Sequence, residues 1–232
     1  MRSTLLDVIK SFRRAAVAVA LLVVSLVAPT PAQAQDRSTP VFTVPLAAAV
    51  RALPVAAEVR DGYKRTSFKH WNAGRNPTDG CNTRAEVLLS EAVDPPQVLP
   101  GCKLSGGRWW SYYDSKWITP AGALDVDHMV PLAEAWDSGA SQWTAARREA
   151  YANDLDVPTS LVAVSAAANR SKADQDPAEW LPPAVEATCR YVSEWTGTKL
   201  RWGLTADAVE LEALKQLAEA CPGTTVTYQP VP

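Results

Sequence analysis

Histidine is scarce in this chain of 232 residues: His70 and His128 are the whole supply. Any histidine-dependent chemistry must run through one of them. There are four cysteines, and none sits in a C-x-x-C pair, which argues against a zinc knuckle. No internal repeat is visible. Charge of one sign is missing too, with 23 basic against 25 acidic residues. After Ala28 there is no further long apolar run. The one such run, Ala15 to about Ala28, follows Arg13-Arg14 and precedes Ala32-Gln33-Ala34. At about 14 residues it is short for a spanning helix, which needs about 20. A secretory signal peptide over 1–34 is expected, with an uncleaved anchor as the alternative.

Removing that segment takes four basic residues and one acid, leaving 19 against 24, a net of −5. A sequence-independent nucleic-acid binder is usually basic, because phosphate neutralisation supplies most of its affinity. Nucleic-acid chemistry here must therefore rest on a local patch. Just under 200 residues remain, enough for one domain with its own core. An even cysteine count in an exported chain points to disulfides. Of three possible pairings, the sequential one is expected: Cys81–Cys102 and Cys189–Cys221.

The pattern predicts a disordered or extended lead over 35–45 and a short helix over 46–53, stopped by Pro54. Residues 72–82 read as a loop. "TRAEVLLSEAV" is a helix or a strand. "LSGGRWWSYYDSKWITP" is a hairpin-like β segment turning at Gly106-Gly107. A helix capped by Ser141 should end by Asn153–Asp154. "SLVAVS" reads as a buried strand, and "AAANRSKADQDP" as a helix stopping near Pro177. A last helix, capped by Thr205 and stopped at Pro222, should dock a face bearing Leu214, Leu217 and Cys221.

A strand ending in "VDH", a strand "LVAVS" and a helix opening with "NRSK" make a compact ββα unit. The Asp127 carboxylate and the Asn169 side-chain oxygen can meet in it. Two oxygen donors plus water and phosphate oxygens suit a hard cation. His128 lies on the opposite side of the strand from Asp127. At a twisted strand end, the two can still straddle one phosphate.

"DVDHMVPL", "AND" and "NRSKADQDP" resemble the HNH endonucleases, the ββα-metal nucleases. "DGCNTRAEVL", "PLAEAWDSGA", "REAYANDLD" and "DPAEWLPP", in that order, resemble a secreted branch related to the C-terminal domain of GmrSD-type restriction endonucleases. The likeness spans Tyr63 to Cys221. It implies an α+β fold: a ββα-metal (HNH) core embedded in a mostly helical single domain with two disulfides. The divisions would be a signal (1–34), a lead and short helix (35–60), a nuclease domain (61–222) and a tail (223–232). His128 would be the general base, Asp127 and Asn169 the metal ligands, and Asn153 the residue holding the loop and orienting the histidine. Arg170, Lys172 and Arg84 would contact phosphate. Asn169 stands where other members carry a histidine, which favours Mg²⁺ or Mn²⁺ over Zn²⁺ or Ni²⁺. The expected activity is hydrolysis of nucleic acid, DNA in preference to RNA, by a secreted monomer with one divalent ion. His70 has no motif to support it. A non-catalytic cell-surface or cell-wall binding protein, using its aromatic Trp109–Trp117 segment, is the competing expectation.

Overall fold

The computed structural model describes residues 39–232. The expected signal segment and residues 35–38 of the lead lie outside the described residues. The elements run β1 (Phe42–Pro45), α1 (Leu46–Arg51), α2 (Thr83–Ser90), β2 (Gln97–Leu99), β3 (Lys103–Ser105), β4 (Trp109–Ser111) and β5 (Lys116–Ile118). They continue with β6 (Leu124–His128), α3 (Leu132–Asp137), α4 (Ala145–Ala152), β7 (Leu161–Ser165), α5 (Ala166–Lys172), α6 (Thr188–Trp202), α7 (Ala208–Ala220) and β8 (Thr225–Tyr228). The protein is mixed α+β, with seven helices and four two-stranded antiparallel sheets among the described residues. No described helix is long and apolar enough to cross a membrane.

The β6–β7 sheet organises the interior. Leu124 lies opposite Ser165, and His128 opposite Leu161. Side chains alternate across the sheet, so β7 serves two cores, while β6 gives Leu124 and Val126 to one and turns Asp125 and Asp127 to the other side. Val162 and Val164 join a large core with Ala168 of α5 and Tyr191 and Trp195 of α6. Leu161, Ala163, Leu124 and Val126 join a second core built on Val87 and Leu88 of α2 and on Trp109. With α5 on one face and α2 on the other, every residue of "LVAVS" is buried. A short strand buried on both faces reads as a continuous apolar run, which is why it was visible in the sequence. Burying each such Val or Leu stabilises by about 1.5–3 kcal/mol.

Both disulfides have the sequential pairing, Cys81–Cys102 and Cys189–Cys221. The first ties the approach to α2 to the start of β3, and the second ties α6 to the end of α7. In the chain-entropy model each stabilises by about 3–4 kcal/mol. "TRAEVLLSEAV" resolves as helix α2, because the Asn82 side chain accepts from Ala85 N at 2.9 Å and caps it.

Several boundaries differ from expectation. The cap of α4 is Thr144 rather than Ser141: Gly139, at φ 114°, turns the chain into a 3-10 turn that takes up Ser141. The cap of α7 is Asp207, whose Oδ1 accepts from Val209 N at 2.5 Å and Glu210 N at 2.9 Å. Thr205 instead donates to Ser138 O. Helix α5 stops at Lys172, where Ala173 takes φ 52°. The longest helix, α6, gave no sequence signal. It is rich in β-branched and aromatic residues, which are poor helix formers, and it buries Glu194, Lys199 and Arg201, so polarity along the sequence does not report which face is inside. The lead is extended rather than disordered where described, because β1 pairs with β8 of the tail.

Glu91, just past α2, is largely buried and accepts from Ala163 N at 3.0 Å. Burial raises its carboxyl to about 7, with Glu194 adding to the shift and the Ala163 bond and Arg190 opposing it. The folded state therefore holds this proton more tightly than the unfolded chain. Stability is highest at low pH and falls as pH rises from about 4.5 to about 7. Glu91→Gln keeps the acceptor and removes the titration. It should stabilise by about 1–2 kcal/mol at pH 8 and by little at pH 4.5; urea unfolding at the two pH values measures this. Equal effects at both would contradict it.

Candidate active site

Strand β6 ends at His128, and β7 runs directly into α5, whose first turn is capped by Ser165 Oγ accepting from Ala168 N at 3.1 Å. This junction brings Asp127, His128, Asn169 and Arg170 into the wall of one cavity of about 360 Å³. Tyr63 and Arg65, from the segment ahead of α2, close its far side.

Asp127 is 5 % exposed. Its Oδ2 accepts from Tyr113 Oη at 2.7 Å and from Lys172 Nζ at 2.5 Å. Oδ1 has no hydrogen-bond partner among the described residues. Lys172 is fully buried, and Nζ also donates to the carbonyls of His128 (3.0 Å) and Met129 (2.9 Å). Three oxygen acceptors need three N–H donors, so the group is an ammonium. Tyr113, Tyr191 and Trp195 each place a ring centroid 5.8 Å from Nζ. Burial pushes the Lys172 ammonium down and the Asp127 carboxyl up, and their mutual attraction opposes both shifts. The expected phosphate contact for Lys172 is thereby corrected: it is the buried counter-ion of Asp127, on a side of α5 that no phosphate reaches.

His128 Nε2 lies 3.0 Å from the Ala152 carbonyl. A carbonyl only accepts, so Nε2 carries the hydrogen and Nδ1 keeps a lone pair. The ring stacks with Trp71 (5.5 Å between centroids) and with Tyr151 (6.3 Å). Burial lowers its pKa to about 3, with the Ala152 bond opposing and His70, Arg65 and Lys172 adding. The ring is neutral across the physiological range.

Asn153 uses its whole amide to tie the 69–72 loop to α2 and α4. Oδ1 accepts from Asn72 N (3.0 Å) and Thr83 Oγ1 (2.9 Å). Nδ2 donates to Lys69 O (2.9 Å) and Glu149 O (2.8 Å). The loop so held carries His70 and Trp71, the latter at φ 59°, a costly conformation for a bulky residue. The atom that orients His128 belongs to the residue before, Ala152.

Asn169 Nδ2 donates to Asp125 Oδ2 at 3.2 Å, which leaves Oδ1 as its remaining acceptor. Arg170 is exposed, with Nε 3.6 Å from Asp125 Oδ2. Arg84 does not join the cavity. It lies on α2, across the sheet from α5, and Nη2 donates to Leu124 O (2.9 Å) and Ala121 O (3.4 Å). The expected phosphate clamp is a tie between α2 and the start of β6.

Three residues at the site went unread in the sequence, Arg65, Trp71 and Tyr113, and His70 was set aside for want of a motif. His70 Nδ1 lies 2.7 Å from Phe68 O, and its ring is 6.2 Å from that of His128. The local cations Lys64, Arg65 and Lys69 offered a signal for this wall. Nothing local marked Tyr113.

Asp127 Oδ1 and Asn169 Oδ1 fit a hard divalent ion that keeps most of its own waters, and not a nitrogen- or sulfur-bound metal.

The junction places a histidine, a carboxylate, an amide and two arginines around one cavity. Residues 100–217 match the model for the C-terminal domain of GmrSD restriction endonucleases. A protein of Arthroderma benhamiae described as an uncharacterized secreted protein is 37% identical over 183 residues, covering 77% of this chain and 87% of its own length. No solved structure matches. The chain belongs to the family of GmrSD restriction endonuclease C-terminal domains. The matched span holds Asp127, His128, Asn153 and Asn169, and stops short of Arg65, His70 and Arg84.

Proposed function

We propose that the protein is a secreted, HNH-type endonuclease that hydrolyses phosphodiester bonds, with DNA as substrate and one Mg²⁺ or Mn²⁺ ion. The observation that carries this is His128: Nε2 is tied to Ala152 O, which leaves the Nδ1 lone pair unused, and the residue lines the cavity that Asp127 and Asn169 also line. Secretion is supported by the two disulfides and by the relative described as secreted.

Asp127 and Asn169 would hold the cation, which when bound supplies charge relief on the phosphate and the leaving oxygen. His128 Nδ1 takes one proton from water. The water oxygen bonds to phosphorus on the side opposite the 3′ oxygen. The bond from phosphorus to that oxygen breaks, the oxygen takes a proton from a second water molecule, a 5′-phosphate remains, and the imidazolium returns its proton to the resulting hydroxide through solvent. Arg65 and Arg170 line the cavity as cations for the phosphate charge. The Tyr63–Trp71 segment, pinned by Asn153, keeps bulk water from the imidazole.

The test is plasmid cleavage by the oxidised protein across Mg²⁺, Mn²⁺ and EDTA. Metal-stimulated cutting by wild type that Asn169→Ala loses is the expected result; no cutting with any metal would overturn it. Arg65→Ala should weaken binding to all DNA sequences alike and lower the slope of log K against log salt by about 1. An unchanged slope, read by fluorescence anisotropy, would remove Arg65 from the interface.

A second reading has one observation in its favour. Trp110 and Trp117 of the β4–β5 hairpin are 40% and 51% exposed, 5.0 Å apart, with the Arg108 guanidinium 4.2 Å over Trp117. Such a face suits a cell-wall polymer. Trp109 takes no part, being buried with Nε1 donating to Leu88 O at 2.7 Å. Metal-independent binding to cell-wall polymer, with no cleavage of DNA, would favour this second reading.

A further inference from the structure

Away from the cavity, the extended segment before Tyr63 meets α3 and the cap of α7 in a cluster of acids. Glu58, Glu134 and Asp137 bring one oxygen each within 4.8 Å of the other two. Glu58, Asp176 and Asp207 do the same, so Glu58 is common to both groups. The facing cations are Arg60, 2.6 Å from Asp137 Oδ2, and Lys199, 2.9 Å from Glu134 Oε1. Lys199 is shared with Glu210 at 2.5 Å. Negative charge outweighs positive there, between an exposed Glu58 and buried Glu134 and Asp137.

A separate observation points to a ligand. The Asp137 side chain is 1% exposed, and its Oδ1 is buried with no hydrogen-bond partner. Leaving a buried acceptor unsatisfied costs about 1–3 kcal/mol, and more for a charged group. Nearby acids make the cost larger. A cation placed among these oxygens would give Oδ1 a partner and offset the crowding of like charge.

We infer that Glu58, Glu134 and Asp137 form a binding site for a divalent cation, with Ca²⁺ the ion that fits. The donors are all oxygens, which selects a hard ion. Ca²⁺ accepts irregular sets at about 2.3–2.6 Å, so oxygens up to 4.8 Å apart fall within two bond lengths of one another. Mg²⁺ demands a tighter octahedron. Glu58 is exposed, so an ion enters there with part of its water shell. The ion would clamp the 55–60 segment to α3, in addition to the Val59 N to Asp137 O bond of 3.3 Å. That segment leads into Tyr63 and Arg65 on the cavity wall. The site shares no ligand with Asp127 and Asn169, and it stands whether or not the protein is a nuclease.

Thermal unfolding of the oxidised protein in CaCl₂ against EDTA tests it. At calcium about 100 times Kd, Tm should rise by roughly 5–10 °C. Glu58→Gln, on an exposed side chain that the fold tolerates, should lose most of the rise. Asn169→Ala should keep it. No rise in wild type, or an equal rise in wild type and Glu58→Gln, overturns the site. A rise lost in Asn169→Ala also overturns it, because the ion would then sit in the cavity.

Discussion

Replacing His128 with alanine should leave a folded protein that cuts DNA about 10²–10⁴ times more slowly, the usual contribution of a positioned base. The imidazole lines a cavity, and its only hydrogen bond is to the Ala152 carbonyl, so its loss costs packing rather than the fold. Circular dichroism should be unchanged while plasmid nicking falls. The pH profile adds a sign. Protonation of Nδ1 removes the base, so activity falls as pH falls. Burial holds the free ring to about 3, so the acid limb of kcat/KM should lie well below the ordinary histidine value near 6.5. In kcat the limb should sit higher, because a bound phosphate anion favours the imidazolium. Equal nicking by wild type and His128→Ala would sink the assignment. If His70→Ala were the dead variant instead, the base would be the neighbouring ring, 6.2 Å away.

What the sequence made legible was local. The β7 strand, the helix that follows it and the "VDH" strand end were visible because each is a short segment with its own pattern. Asn169 is separated from Asp127 and His128 by intervening helices, yet all three line the cavity, because β6 and β7 pair and α5 follows β7 without a loop. What stayed hidden depends on long-range packing. Lys172 and Arg170 are two apart on one short helix and looked alike. One is fully buried against Asp127 and the other is exposed, a difference set by α6 closing over α5. Helix α6 itself was hidden by its poor helix formers and by the charged residues it buries. Tyr113 gives its hydroxyl to Asp127 from the turn of a hairpin that reads only as aromatic. Arg84 looked free to bind phosphate because nothing in sequence says which face of the sheet α2 covers.

The Asp127–Lys172 pair yields the largest expected change in stability. Lys172→Met fills the space but leaves a buried carboxylate with Tyr113 alone, and strips the donor from the His128 and Met129 carbonyls. Breaking a buried pair from one side typically costs about 3–5 kcal/mol. For a chain of this size that lowers Tm by roughly 6–20 °C. Asp127→Asn should cost less, since the amide oxygen still accepts from Lys172. The double variant should be more stable than Lys172→Met alone, because no uncompensated charge remains, and the coupling read from the cycle should exceed about 1 kcal/mol. Cleavage should not return with stability, since the carboxylate that faces the cavity is gone. A phosphate-binding lysine predicts the reverse: Lys172→Met would fold like wild type, bind DNA more weakly and show a shallower salt dependence. Urea unfolding of the four proteins, with DNA binding at two salt concentrations, separates the two. Additive effects of the two substitutions would mean that Asp127 is not held by Lys172, and that the cavity is positioned by something else.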